Sequence, residues 1–79
     1  MIIDLALFAS FSRYQPDGAG GRWARRFDVP DGTTVGELIG RLGLPEGPRA
    51  VFVNGRHAAD DRVLDDGDRL AVFPPIAGG

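Results

Sequence analysis

Residues 33–45, TTVGELIGRLGLP, are the main evidence for the fold of this chain, because they predict its one helix. Thr34 and Glu37 fit a capping box, in which a hydroxyl at the N-cap is followed three residues later by a glutamate. Gly43 suits the left-handed position after the last turn, and the proline that ends the stretch blocks continuation. Four apolar side chains follow the i, i+3, i+4, i+7 spacing of one buried face: Val35, Leu38, Ile39 and Leu42. The stretch therefore predicts an amphipathic helix over residues 33–43.

Two glycines lie inside this predicted helix, at Gly36 and Gly40. Each of them costs roughly 0.5–1 kcal/mol relative to alanine in a helix interior. We expect the two glycines to let the helix pack closely on a sheet.

Two strands are predicted before the helix. Residues 2–11 place five side chains on one face at period two: Ile3, Leu5, Leu7, Ala9 and Phe11. Residues 23–29 alternate in the same way. The segment between them contains Pro16-Asp17-Gly18 followed by Ala19-Gly20-Gly21, and these residue types favour turns and loops. The two strands are therefore expected to pair as a hairpin.

Three strands are predicted after the helix. Residues 49–54 form the first, and Asn54-Gly55 is a strong signal for a tight turn into a short strand over residues 56–59. Residues 60–68 are acidic and turn-like. Residues 69–73 form the last strand, which ends at Pro74-Pro75 because proline supplies no ladder donor.

The resulting order, β-β-α-β-β-β, predicts an α+β fold. The simplest packing lays one main helix across one face of a mixed sheet of four to five strands, which is the ubiquitin-like β-grasp arrangement. We expect one β-grasp domain over residues 1–73, followed by an extended, flexible tail over residues 74–79 that ends in Gly-Gly.

Composition excludes several classes of chemistry. The 79 residues contain no cysteine, no lysine and a single histidine, His57. This rules out disulfides, cysteine-based zinc or iron–sulfur sites, cysteine or lysine nucleophiles and multi-histidine metal sites. The net charge of −2 argues against nucleic-acid binding through phosphates. No stretch reads as a membrane span or a signal peptide, so a cytoplasmic protein is expected.

The C-terminal stretch FPPIAGG, residues 73–79, carries a family resemblance. Together with Leu7-Phe8-Ala9, Val53-Asn54-Gly55 and Asp66-Gly67-Asp68, it resembles the MoaD/ThiS family of ubiquitin-like sulfur carriers, above all the small subunits of molybdopterin synthases. That family usually has a helical segment after the first strand. Here the chain reaches Pro16 quickly, so we expect this segment to be a single turn or lost.

The resemblance implies a sulfur carrier rather than an enzyme. An adenylating, E1-like activating enzyme would use ATP to form an acyl-adenylate on Gly79, and sulfur would then replace the adenylate to give a thiocarboxylate. The thiocarboxylate would donate sulfur to a precursor pterin inside the large synthase subunit, in a heterotetramer whose catalytic residues lie in the large subunit. No bound cofactor and no metal are implied for the carrier itself.

The tail would present Gly79 to both partners. Its six residues can reach roughly 20 Å at about 3.3 Å each. Glycine at the end can thread a narrow channel because it has no Cβ atom. The segment that would thread comprises Gly78, Ala77, Ile76, Pro75 and Pro74.

Partner contacts are less defined by the sequence. Phe8 and Phe73, with Ile76, form either an apolar docking patch near the tail or part of the core. Arg56 and Arg69, and Arg49 with them, either pair with acidic groups of a partner or are solvated charges at a strand edge.

Three other functions stay open at this point. The chain is alternatively a sulfur carrier for thiamin or another sulfur metabolite, or a ubiquitin-like protein modifier. The lack of lysine argues against chains built on its own side chains. A third alternative is a β-grasp interaction module whose tail is inert.

Overall fold

A computed structural model describes residues 1–14 and 25–75 of the chain. Within them, five strands form one sheet in the order β2-β1-β5-β3-β4. The central pair, β1 and β5, is parallel, and the other neighbours are antiparallel. The strands are β1 (Ile2–Leu7), β2 (Arg25–Asp28), β3 (Ala50–Val53), β4 (Arg56–His57) and β5 (Arg69–Phe73), and the α-helix is α1 (Val35–Leu42).

Helix α1 packs on one face of this mixed sheet, which confirms the predicted α+β, β-grasp architecture. Its buried side chains join those of β1, β3 and β5 in a single core. The members contributed by the helix are Val35, Leu38 and Ile39, and those contributed by the three strands are Ile3, Leu5, Leu7, Val51, Val53, Leu70 and Val72.

The caps of α1 are as predicted. The Thr34 hydroxyl accepts a hydrogen bond from the Glu37 N–H at 3.2 Å, and the Glu37 carboxylate accepts one from the Thr34 N–H at 3.0 Å. The hydrogen bond from the Thr34 N–H to this carboxylate, followed by the interaction of the carboxylate with the Thr34 side chain, lowers the pKa of Glu37, since both stabilise its charged form. Gly43 closes the helix in the left-handed conformation, with φ 78°. The helix is shorter at both ends than residues 33–43, because Thr34 and Gly43 are caps.

The first strand is also shorter than predicted. It ends at Leu7, and a 3-10 helix follows over Ala9–Tyr14. Ala9 has a φ of 52°, which breaks the extended run, and the Phe11 N–H donates to the Phe8 carbonyl at 3.0 Å. The prediction of a strand to residue 11 was therefore wrong. The helical segment is about two turns of 3-10 helix rather than a single turn.

The remaining strands differ from prediction only at their ends. The β1–β2 pairing confirms the predicted hairpin partners, with Ile3 opposite Phe27. Trp23 and the loop before it lie outside the described residues. Strand β4 stops at His57 instead of residue 59, although the Ala58 N–H still donates to the Val51 carbonyl at 3.1 Å.

The two helix glycines have different surroundings, and neither packs against the sheet as we expected. A Cβ atom on Gly36 would lie 3.1 Å from the Asp60 Cβ atom and 3.2 Å from its carbonyl oxygen. The Gly36 N–H donates to that same carbonyl at 2.8 Å. Gly36 therefore allows the loop at Asp60 to approach the first turn of α1. A Cβ atom on Gly40 would meet nothing within 4 Å.

Alanine substitutions at these positions form a matched pair. We expect Gly40→Ala to stabilise the protein by roughly 0.5–1 kcal/mol, since it removes the helix cost of glycine without a new contact. Gly36→Ala gains the same helix propensity, but its new Cβ atom must displace the loop at Asp60. We therefore expect this variant to be less stable than Gly40→Ala by at least about 1 kcal/mol. Urea unfolding of both variants measures the difference, and equal midpoints would contradict the close approach.

A buried carboxylate joins the turn before β5 to the β3–β4 turn. Asp68 is 7% exposed. Its two oxygens accept hydrogen bonds from the Asn54 amide and from the Asp65 N–H, each at 2.8 Å. The side-chain oxygen of Asn54, Oδ1, in turn accepts a hydrogen bond from the Arg69 N–H at 2.9 Å. Asn54 adopts the left-handed conformation, with φ 53°, which the tight turn into Gly55 requires.

Asn54→Gly isolates these side-chain bonds, because glycine keeps the left-handed turn. We expect a loss of about 1–3 kcal/mol, since the Asp68 carboxylate loses a partner while it stays buried. Asn54→Ala should lose roughly a further 1 kcal/mol from the left-handed backbone. A thermal or urea midpoint of Asn54→Gly equal to that of the wild type would show that the network contributes nothing.

Candidate functional site

The face of the sheet opposite α1 carries a cluster of aromatic rings. Alternation along the strands turns Phe52 of β3 and Phe73 of β5 away from the core, since their neighbours Val51, Val53 and Val72 are buried. Phe8 follows β1, and its N–H donates to the Val72 carbonyl at 3.1 Å. This bond extends the β1–β5 pairing by one residue and sets Phe8 beside Phe73.

The rings contact one another in a chain. Phe8 stacks on Phe73 with ring centroids 4.3 Å apart and planes within 6°. Phe52 meets Phe73 edge to face at 5.8 Å, and the His57 ring lies 4.4 Å from that of Phe52. We call these four residues, Phe8, Phe52, Phe73 and His57, the aromatic cluster.

The aromatic cluster is a surface and not part of the core. Its three phenylalanines are half-buried and His57 is exposed, whereas the buried core lies on the helix side of the sheet. The sequence left Phe8 and Phe73 either in an apolar docking patch or in the core. The structure therefore excludes the second alternative, since neither side chain lies in the buried core. Half-buried rings that stack beside each other, on a sheet face that residues 1–14 and 25–75 leave uncovered, form an apolar patch of the kind that protein partners cover.

An apolar groove continues from the cluster to the base of the tail. Phe52, Phe73 and His57 form part of its wall, and the rest of its apolar lining comes from Ala9, Pro48, Ala50, Pro74 and Pro75. Pro74 is half-buried and Pro75 is exposed. The groove thus lies where the chain leaves the sheet. The predicted threading and attachment residues, Ile76, Ala77, Gly78 and Gly79, lie outside the described residues.

A second, more polar depression borders the other side of the cluster. Asp4 and Arg69 face each other across the β1–β5 pairing, and both line this depression with Asn54 and Ala71. The small side chain of Ala71 leaves room between the aromatic rings and the charged pair. The open face therefore presents apolar and charged surface side by side.

The predicted arginines do not come together on this face. Arg69 is exposed on the open face, but Arg56 pairs with Val53, whose side chain points to the core face. Arg56 is consequently an exposed charge on the opposite side of an edge strand. Arg49 is partly buried and binds the Asp60 carboxylate at 2.8 Å. Of the three arginines, Arg69 lies on the same sheet face as the aromatic cluster, so a partner that covers the cluster would also contact Arg69.

Two members of the cluster, Phe52 and His57, were not among the predicted site residues. A signal for them was present, because a two-residue Asn54-Gly55 turn fixes position 57 opposite position 52. The observed register has that pairing. The His57 side chain is exposed, and its ring packs against that of Phe52.

Two classes of site are missing from the described residues. In residues 1–14 and 25–75, no group of three or more His, Cys, Asp or Glu side chains is arranged to hold a metal ion. The same part of the chain contains no helix of the length and apolarity needed to cross a membrane.

Comparisons with known proteins connect this geometry to a family. The family model described as "ThiS family" matches residues 16–79. A curated relative, Protein RnfH of Paramagnetospirillum magneticum, is 39% identical over 56 residues, which is 62% of this chain. The match spans 58% of that protein, so the chain covers less than two thirds of its length.

Solved structures match over nearly the whole chain. SAMP1, small archaeal modifier protein 1, of Haloferax volcanii is 31% identical with a TM-score of 0.71 and 100% of each chain covered. A putative molybdopterin converting factor, subunit 1, from Pyrococcus furiosus is 27% identical with a TM-score of 0.71, covering 96% of this chain and 99% of the other.

Proposed function

This chain belongs to the ThiS family, and on that premise we propose that it carries sulfur on Gly79 as the small subunit of a molybdopterin synthase. The likeness to the putative molybdopterin converting factor, subunit 1, of Pyrococcus furiosus favours this member of the family over a thiamin-type carrier. The pathway served would be molybdenum cofactor biosynthesis.

The proposed chemistry uses the main-chain carboxylate and no side chain of this protein. A carboxylate oxygen of Gly79 attacks the α-phosphate of ATP on the activating enzyme, and pyrophosphate leaves. A sulfur nucleophile supplied by a donor then attacks the acyl carbon, and AMP leaves with the electrons of the broken C–O bond. The thiocarboxylate that results is a nucleophile. Its sulfur bonds to a carbon of a precursor pterin in the large subunit and displaces an oxygen substituent there, and water then cleaves the acyl C–S bond, which leaves the sulfur on the pterin and returns the Gly79 carboxylate.

The position of the aromatic cluster beside the start of the tail is the observation that carries this proposal. Phe73 is the last residue of β5, and Pro74 follows it directly. A partner that covers the cluster therefore holds the tail at a fixed origin, about 20 Å of extended chain from Gly79. Pro74-Pro75 stiffens that origin, because proline fixes φ and lowers the entropy lost on binding.

Two partners follow from this proposal, and they would use the same face in turn. The activating enzyme needs the carboxylate of Gly79 at its ATP, and the large subunit needs the thiocarboxylate at its pterin. Since both must reach one tail from one origin, we expect them to compete for the aromatic cluster.

A second candidate function is that of a protein modifier, in which Gly79 forms an amide with an amine of another protein. The likeness to SAMP1 over the full length of both chains favours it. Both candidates need the same activation of Gly79 and differ in the final nucleophile.

Mass spectrometry of the protein purified from its native host tests the proposal. We expect a fraction of the molecules to have exchanged one C-terminal oxygen for sulfur, and a large synthase subunit to co-purify. Proteins joined by an isopeptide bond to Gly79 would support the modifier instead, and an unmodified carboxylate under all conditions would reject both.

A further inference from the structure

The amino group of Met1 is held by the fold. Its ammonium donates a hydrogen bond to the Val29 carbonyl at 2.8 Å, and the Val29 N–H donates to the Met1 carbonyl at 2.9 Å. These reciprocal bonds continue the β1–β2 ladder by one residue past Ile2. The Met1 nitrogen therefore acts as a hydrogen-bond donor within the β1–β2 pairing.

Two carboxylates complete its surroundings. An Asp31 oxygen lies 3.4 Å from the nitrogen and an Asp28 oxygen lies 3.5 Å from it. Desolvation by itself lowers the pKa of this ammonium, but the hydrogen bond and charge of Asp31, followed by those of Asp28, outweigh it and raise the pKa above its ordinary value. The unprotonated form, which is the nucleophile, is correspondingly scarce near neutral pH.

An unreactive amine matters for a chain whose C-terminus becomes an electrophile, and in this respect the argument rests on the proposed function. If an amine attacks the Gly79 acyl-adenylate, an amide bond forms, AMP leaves with the electrons of the C–O bond, and the nitrogen loses a proton to solvent. The sequence has no lysine and no cysteine. In a chain that begins at Met1, this amine is therefore the alkyl amine at which acylation would occur.

Distance does not protect the amine. Because β1 and β5 are parallel, Met1 lies at one end of the pair and the tail leaves from the other. Strand β1 has six residues, which span about 20 Å. The six-residue tail can also extend over about 20 Å, which is enough to reach back along the strand. The tail of a second copy can approach Met1 from outside and does not need to span this distance.

We propose that the contacts of Met1 with Val29, Asp31 and Asp28 shield its amine from acylation, so that the activated carrier acylates neither itself nor another copy. The carrier then stays monomeric while it is charged, and as a modifier it would form single adducts and not head-to-tail chains.

Acetylation kinetics test this shielding. N-hydroxysuccinimidyl acetate in limiting amount at about pH 7.5 labels amines through their unprotonated form, and mass spectrometry of the N-terminal peptide measures the rate. The comparator is the same protein with Gly-Ser added before Met1, which moves the amine two residues away from its partners. We expect the wild type to react at least about threefold more slowly, because each unit of pKa changes the reactive fraction tenfold.

Single substitutions identify the groups responsible. Asp31→Asn removes one charge beside the amine, and its side chain is 94% exposed, so the core is unaffected. Asp61→Asn removes one exposed charge elsewhere and is the matched control. We expect faster labelling for Asp31→Asn and the wild-type rate for Asp61→Asn. Equal rates for the wild type and the Gly-Ser extension would overturn the proposal. The reagent needs neither ATP nor a partner, so this outcome is independent of whether Gly79 carries sulfur.

Discussion

Deletion of Gly79 is expected to abolish adenylation and sulfur transfer while leaving the thermal midpoint of the protein unchanged. The reason for the loss is positional, since shortening the tail withdraws the acyl carbon by about 3.3 Å from any site built for it. A misplacement of about 1 Å already costs on the order of 100-fold in rate, so activity should fall to background. The fold should persist because the described core ends at Val72. ATP–pyrophosphate exchange with the activating enzyme measures the first effect.

Two tail variants control for this deletion. One alanine added after Gly79 keeps every native residue but moves the carboxylate outward, and we expect it to be equally inactive. Pro75→Ala leaves the length unchanged and mainly restores backbone freedom, so it should cost about 0.4–1 kcal/mol, a few-fold in binding. Sulfur transfer by the deletion variant at the wild-type rate would mean that Gly79 is not the attachment site.

The elements that the sequence predicted well are those whose ends are set by local chemistry. Helix α1 is bounded by the Thr34 hydroxyl and by the left-handed Gly43, and both act within one turn of the residues they cap. Strand β5 matches its predicted bounds, because Asp66-Gly67-Asp68 turns the chain before it and Pro74-Pro75 cannot continue it.

The end of β1 was mispredicted because it depends on a distant partner. The apolar alternation continues to Phe11, which is buried in the 3-10 helix just as it would be in a strand. The last ladder bond joins the Phe8 N–H to Val72. Strand β5 ends one residue later at its prolines, so a longer β1 would have no further partner on the β5 side. Nothing within residues 2–11 contains that information.

The aromatic cluster was only partly predictable for a similar reason. Phe8 and Phe73 satisfy the alternation of a strand equally well on a covered face and on an uncovered one. The choice between them follows from the one α-helix among the described residues, which covers one face of the sheet, and from the register that puts Phe52 next to Phe73. The prediction of Gly79 as the attachment site rests on the tail sequence, which is a property of the chain and not of its packing.

Phe73→Ala should weaken the binding of both proposed partners by at least about 2 kcal/mol, roughly 30-fold in Kd. Phe73 contacts both Phe8 and Phe52, so its removal breaks the aromatic cluster at its centre. The fold should lose less, because Phe73 is only half-buried and an aromatic pair contributes about 0.5–1.5 kcal/mol beyond its buried area. Isothermal titration calorimetry with the activating enzyme and with the large subunit measures the two affinities.

Val63→Ala is the matched control for this substitution. Val63 is 51% exposed and pairs with Thr34 at the start of α1, so it is an apolar side chain away from the open face. We expect its affinities to equal those of the wild type. If the affinity of Phe73→Ala for one partner fell and that for the other did not, the two partners would use different faces and need not compete. If Phe73→Ala and Val63→Ala bound both partners equally well, the tail would be delivered from some surface other than the aromatic cluster.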